Sequence, residues 1–238
     1  MTTDSHVRIV HIDTSGPLWA DVYRWVLAPA FPPTELLTSA GLAAALDDGA
    51  AHALAVVDRD GSPLATAVAE HLPHSDTVLL AYLAVTGGRR GGGIGAPLLR
   101  EALATWHARY RPRLILAEAE HPAAYEPTEA YGDPTGRLRF YARNGGVAVD
   151  VPYFQPTLRP GLRRHYGMVL LTFPTGGAIP AAIPGAALRP FLAEQLIRTE
   201  GHVGKDAATV ALFASVDRGD VRLLDPRDTE QLPLSTAP

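Results

Sequence analysis

The chain has 238 residues, 47% hydrophobic and 19% charged, with a formal net charge of −4. It is long enough and apolar enough for a packed core. It lacks the basic excess of a nucleic-acid binder. With no cysteine, it has no disulfide framework, thiolate nucleophile or cysteine metal site.

The opening "MTTDSHVRIVHID" has no basic start followed by an apolar signal core, so a cytoplasmic location is the expectation. No apolar run approaches a membrane span. "VRIVHID" (7–13) alternates β-branched residues and predicts a strand. "LWADVYRWVLAPAF" (18–31) predicts an amphipathic helix, with Trp19, Trp25 and Phe31 read as packing aromatics. "PPTELLTSAGLAAALDDG" (32–49) predicts a second helix, opened by proline and closed by Gly49. "AHALAVVDRDGSPLATAVAEHL" (51–72) predicts two strands around an Asp-Gly turn. "TVLLAYLAV" (77–85) is the continuous apolar run of a strand buried on both faces.

Six glycines then fall between positions 87 and 95. Glycine reaches positive φ freely and lets a ligand approach main-chain N–H groups. The helix that follows carries Ile94, Leu98, Leu99, Ala102, Leu103 and Trp106 at helical spacing. Its N-terminus offers unpaired N–H groups and the positive end of a dipole, and Arg89 and Arg90 add charge. The pattern predicts a seat for a diphosphate. A Walker loop would need Gly-Lys-Ser/Thr, but Gly95 is followed by Ala96 and Pro97. Gly91, Gly93 and Ala96 match a dinucleotide fingerprint. However, "TGGRRG" separates Val85 from Gly92 and loosens the turn.

Further on, "RLILAEAE" (113–120) predicts a strand that places Glu118 and Glu120 on one face. "YEPTEAYGDP" (125–134) is a polar loop. "PTGRLRFYARNGG" (134–146) predicts a short helix, and "VAVDVPYF" (147–154) and "YGMVLLTF" (166–173) predict strands. The element order implies an α/β (α+β) protein, with a mixed sheet of about seven strands flanked by helices. Past residue 174 the Pro-, Gly- and Ala-rich stretch predicts a connector, 188–201 a helix, and 225–238 a frayed tail. "ATVALFASV" (208–216) fits either a strand or part of a helix.

Arg90-Gly91-Gly92-Gly93-Ile94-Gly95 is R-x-x-G-x-G after a strand ending "LAV", with Phe140-Tyr141…Asn144-Gly145 about fifty residues later. This set resembles the GNAT (GCN5-related) N-acetyltransferase superfamily over roughly residues 5–174. The resemblance implies a GNAT acyltransferase domain over 1–174 and a C-terminal extension over 175–238. The extension would pack on the core or on a partner subunit. It implies acetyl-CoA as co-substrate and no metal. Leu83, Ala84 and Val85 would face the pantetheine. Arg89, Arg90, Gly91, Gly92, Gly93, Ile94, Gly95, Ala96 and Asn144 would serve the carrier. Gly87 departs from the proline of many relatives, and two arginines adjoin where one is usual.

Transfer to an amine needs a proton acceptor and a proton donor. Tyr141 is the candidate acid; Glu118, Glu120 or water is the candidate base. Glu70, His121, Tyr153 and Gln155 are candidate acceptor-binding residues. The expected partner is a small-molecule amine, with protein lysine or N-terminal acetylation and a non-catalytic acyl-CoA-binding module as alternatives, and a dinucleotide-binding protein as a less favoured one. A homodimer is a further expectation, and no nucleic acid or membrane partner is expected.

Overall fold

The computed structural model describes residues 7–89, 91–129, 131–158, 161–173 and 179–237. The chain divides into two compact units. One comprises Met1–His71 and Leu80–Arg111; the other comprises Leu72–Leu79 and Pro112–Pro238.

The first unit contains β1 (Arg8–His11), α1 (Leu18–Val22), α2 (Ser39–Asp47), β2 (Ala51–Val57), most of β3 (Pro63–Leu72), the second half of β4 (Thr77–Val85) and α3 (Gly95–Tyr110). β1 runs antiparallel to β2, and β2 antiparallel to β3 with Leu54 opposite Ala67. The β2–β3 turn closes because the Asp58 carboxylate accepts from Asp60 and Ser62 N–H, while Gly61 takes φ +84°. Trp19, Val22, Leu27, Leu42, Ala53, Val68 and Tyr82 pack in one apolar cluster. Burial of each large member contributes roughly 1.5–3 kcal/mol.

The two predicted N-terminal helices are both shorter than expected. α1 passes into a π-helical stretch at Tyr23–Leu27, and α2 begins only after Thr38, whose hydroxyl accepts from Gly41 N–H. Competing hydrogen bonds explain the loss over 35–37. The Tyr82 hydroxyl accepts from Leu37 N–H and donates to the Glu35 carbonyl, and the Tyr23 hydroxyl donates to the Leu37 carbonyl. These bonds occupy the backbone groups that a helix would have used.

The second unit holds β5 (Leu114–Glu120), α4 (Pro134–Arg143), β6 (Val147–Val149), β7 (Met168–Thr172), β8 (Ala182–Pro184), α5 (Gly185–Glu200), α6 (Ala207–Asp217) and β9 (Asp220–Leu224). The strand order is β5-β7-β6-β9-β8, with every pair antiparallel. β8 and β9 are the two strands that hydrophobic patterning does not announce. Each is short, and neither alternates cleanly. Residues 208–216 are helical, since Asp206 caps α6 by accepting from Thr209 N–H. α5 starts three residues before its predicted start and contains Pro190. Gly185 opens it because a Cβ there would stand 1.9 Å from the Val216 carbonyl oxygen. Leu188, Phe191, Leu192 and Leu196 are buried in one cluster with Leu116, Val149, Phe154 and Leu170, while Ile197 is exposed.

Candidate functional site

In the first unit, β4 leads into the glycine loop. Ala84 is buried, and Leu83 and Val85 are half-buried. The loop is fastened by Thr86 N–H donating to the Leu64 carbonyl, then by Arg89 N–H to Thr86 and Gly92 N–H to Arg89. A single 3₁₀ turn covers Gly87–Arg89. Gly91 and Gly93 both take φ +79°, which side chains resist. Gly87 and Gly88 are different. Neither has positive φ, and a Cβ on either would meet no atom of the described residues within 4 Å. The protein's own backbone therefore does not require glycine there. The N-cap of the sixteen-residue α3 is Ile94, whose side chain has no acceptor to offer the N–H groups of the first turn. Gly95 and Ala96 begin the helix itself. Arg90 lies outside the described residues. Glu70, near the end of β3 opposite Ala51, also belongs to this unit.

The second unit gathers the carboxylates on β5. Glu118 accepts a short hydrogen bond from the Tyr153 hydroxyl and another, at 2.8 Å, from Gln155 Nε2. Three candidates from two distant segments thus meet on one carboxylate. Burial, followed by the adjacent Glu118 charge, pushes the Tyr153 hydroxyl well above its ordinary pKa. It stays protonated and so acts as a donor. Glu120 belongs to a different pair. Its carboxylate accepts from Arg137 Nη1 at 2.8 Å, and Arg137 Nη2 donates to the Tyr131 carbonyl at 2.7 Å. The two acids share a strand face, one held by Tyr153 and Gln155 and the other by Arg137. Sequence reasoning missed Arg137, which comes from α4 and carries no motif.

Tyr141 is buried on α4, edge-on to Phe140 and Phe173 with centroids 5.5 and 5.9 Å away. Desolvation pushes its hydroxyl up to about 12, so it holds its proton at neutral pH. Asn144 ends α4, its Nδ2 donating to the Phe140 carbonyl at 2.8 Å. His121 is buried, and its Nδ1 accepts from Ala123 N–H at 2.9 Å. That bond places the ring proton of the neutral tautomer on Nε2. Burial lowers its pKa, which favours the neutral form. Among the described residues, no group of three or more His, Asp or Glu could hold a metal ion, and no helix is long and apolar enough to cross a membrane.

A GNAT-family acetyltransferase structure from Bacteroides thetaiotaomicron matches 72% of this chain and 89% of its own, with TM-score 0.54 and 22% identity. An acetyltransferase structure from Acinetobacter baylyi matches 74% of this chain and 99% of its own, with TM-score 0.54 and 14% identity. No protein-family model matches the sequence, and no curated protein sequence is significantly similar. The chain has the GNAT acyltransferase fold.

Proposed function

We propose that the chain is a GNAT-type N-acetyltransferase that transfers the acetyl group of acetyl-CoA to the primary amine of a small molecule. One observation carries the reading: Glu118 sits on this fold with two neutral donors, Tyr153 and Gln155, aimed at it. The glycine loop supports the carrier half. Gly91 and Gly93 at positive φ, open space at Gly87 and Gly88, and a helix start without a side-chain acceptor fit a diphosphate that approaches the backbone closely. Arg89 adds charge, and Leu83, Ala84 and Val85 are the β4 residues assigned to the pantetheine.

Acetyl-CoA supplies the acyl group as a thioester. The chain's residues then manage two protons. The amine lone pair forms the new C–N bond as the C–S bond breaks. Glu118 takes the proton that the amine loses, directly or through water. The bonds from Tyr153 and Gln155 fix the orientation of the carboxylate. Tyr141, which holds its proton, gives it to the departing thiolate. Glu120 is tied to Arg137 and is the weaker candidate base. The polar stretch 125–134, which follows β5, supports a small acceptor over a protein one.

The test is incubation with acetyl-CoA and a panel of small amines, lysine peptides and free N-terminal peptides, following free thiol. Thiol release with a small amine is expected. Release with peptides alone moves the acceptor class. No release from any amine, together with no heat on coenzyme titration, overturns the proposal.

A further inference from the structure

The donors that aim at Glu118 are fixed in place by the last third of the chain. Composition predicts a frayed segment after β9, but Leu232 and Ser235 are buried. Ser235 Oγ donates to the Tyr153 carbonyl at 2.5 Å. The Gly167 N–H, in turn, donates to Ser235 Oγ at 2.9 Å and to the Ser235 carbonyl at 3.0 Å. The Gly167 carbonyl accepts from His121 N–H at 2.8 Å. Three segments are thereby knotted: the end of β5, the residue before β7, and the tail. The knot is tight. Gly167 has φ +69°, and a Cβ there would stand 2.4 Å from Ala124 Cβ.

The other donor, Gln155, is anchored similarly. Its backbone exchanges two hydrogen bonds with His165, at 2.8 and 2.9 Å. Next to His165, Arg164 is clamped by Glu200 at 2.6 and 2.8 Å and by Asp206 at 3.0 Å, with its guanidinium 4.5 Å from the Phe154 ring centroid. Glu118 needs neither donor to hold its own backbone, since β5 pairs it with Leu170 on β7. What these ties determine is where the Tyr153 hydroxyl and the Gln155 amide point.

We infer that Ser235 is a positioning residue for the Glu118 base: by holding the Tyr153 carbonyl, the C-terminal tail sets the direction of the hydroxyl that bonds the carboxylate. This rests on the reading of Glu118 given above. Loss of Oγ leaves the Tyr153 carbonyl without its donor in a buried place, and the backbone there is free to shift. Misplacing a catalytic group by about 1 Å costs up to about 100-fold.

The experiment compares wild type with Ser235→Ala in the full-length chain. The expected result is a kcat about 10- to 100-fold lower, with coenzyme Kd and amine KM within about twofold. The ring Cζ resonance of Tyr153, assigned by its loss in Tyr153→Phe, should move in both Ser235→Ala and Glu118→Gln. If the alanine chain does not fold, Ser235→Cys, of similar shape and a weak donor, takes its place with product followed by mass. An unchanged kcat overturns the inference, as does a loss shared equally by coenzyme Kd. If wild type acetylates no amine, the functional reading fails separately. The resonance then decides: a Tyr153 signal that moves in Glu118→Gln but not in Ser235→Ala overturns the positioning claim.

Discussion

The glycine loop of the first unit and the Glu118 cluster of the second solve opposite problems. The loop is nearly all backbone: its shape comes from Gly91 and Gly93 at positive φ and from main-chain bonds such as Gly92 N–H to the Arg89 carbonyl. The cluster is nearly all side chain, with a tyrosine, a glutamine and a carboxylate drawn from positions 118 to 155. A backbone seat can be written in a dozen consecutive residues. A side-chain cluster is assembled by the tertiary fold. The two should therefore fail differently, the cluster in turnover and the loop in affinity and local stability.

The largest expected effect lies in the cluster. Glu118→Gln removes the proposed proton acceptor while keeping size and hydrogen-bonding capacity, so kcat should fall about 10²- to 10⁴-fold with coenzyme Kd unchanged. Tyr141→Phe, outside the cluster but in the same unit, removes the proposed donor to the thiolate, and a loss of about 10²-fold in kcat is expected. Steady-state kinetics alongside calorimetric coenzyme titration checks both. If either variant weakens coenzyme binding as much as turnover, the division of labour between loop and cluster is wrong.

At the loop, two glycines separate backbone strain from ligand approach. Gly93→Val forces a branched side chain into φ +79°. That should lower stability by roughly 1–2 kcal/mol and weaken coenzyme binding too. Gly88→Val meets no atom of the described residues and has no positive φ, so the melting temperature should hold. Only coenzyme affinity should fall, by about tenfold if close approach of the carrier costs about 1.4 kcal/mol. A Gly88→Val chain that binds the coenzyme normally removes position 88 from the seat.

The same contrast explains what the sequence disclosed. The loop, the β2–β3 hairpin and α3 were legible because local chemistry specifies them: glycine spacing, the Asp58 turn, an apolar helical stripe. Glu118 and Glu120 were legible as a pair, but not the pairing of Glu120 with Arg137, seventeen positions away on another element. The short α2 escaped because the bonds that deny helix to 35–37 come from Tyr23 and Tyr82. β8 and β9 escaped because three- and five-residue strands carry too little pattern. The tail read as frayed from its prolines and polar residues, yet the burial of Ser235 depends on Gly167 and Tyr153.

The smallest expected effect concerns how the helix behind the loop is held, and it is read by pH. His52 on β2 is partly buried beneath α3, and its Nδ1 accepts from Trp106 Nε1 at 3.0 Å. Burial, then Arg109 and His11, lowers its pKa from 6.5 to about 4. The folded state therefore binds fewer protons than the unfolded chain between these values. Stability rises with pH across that window and is lost as pH falls from 6.5 toward 4. His52 is only partly desolvated, so solvent screening keeps the effect modest; Tm moves by roughly 2–4 °C per kcal/mol for a chain this size. Hydrogen exchange should quicken in α3 before α5 as pH drops. His52→Gln, which can still accept from Trp106 but cannot titrate, should flatten the dependence. If α3 exchanges with the same pH response in wild type and His52→Gln, then His52 is not what loosens the helix behind the loop.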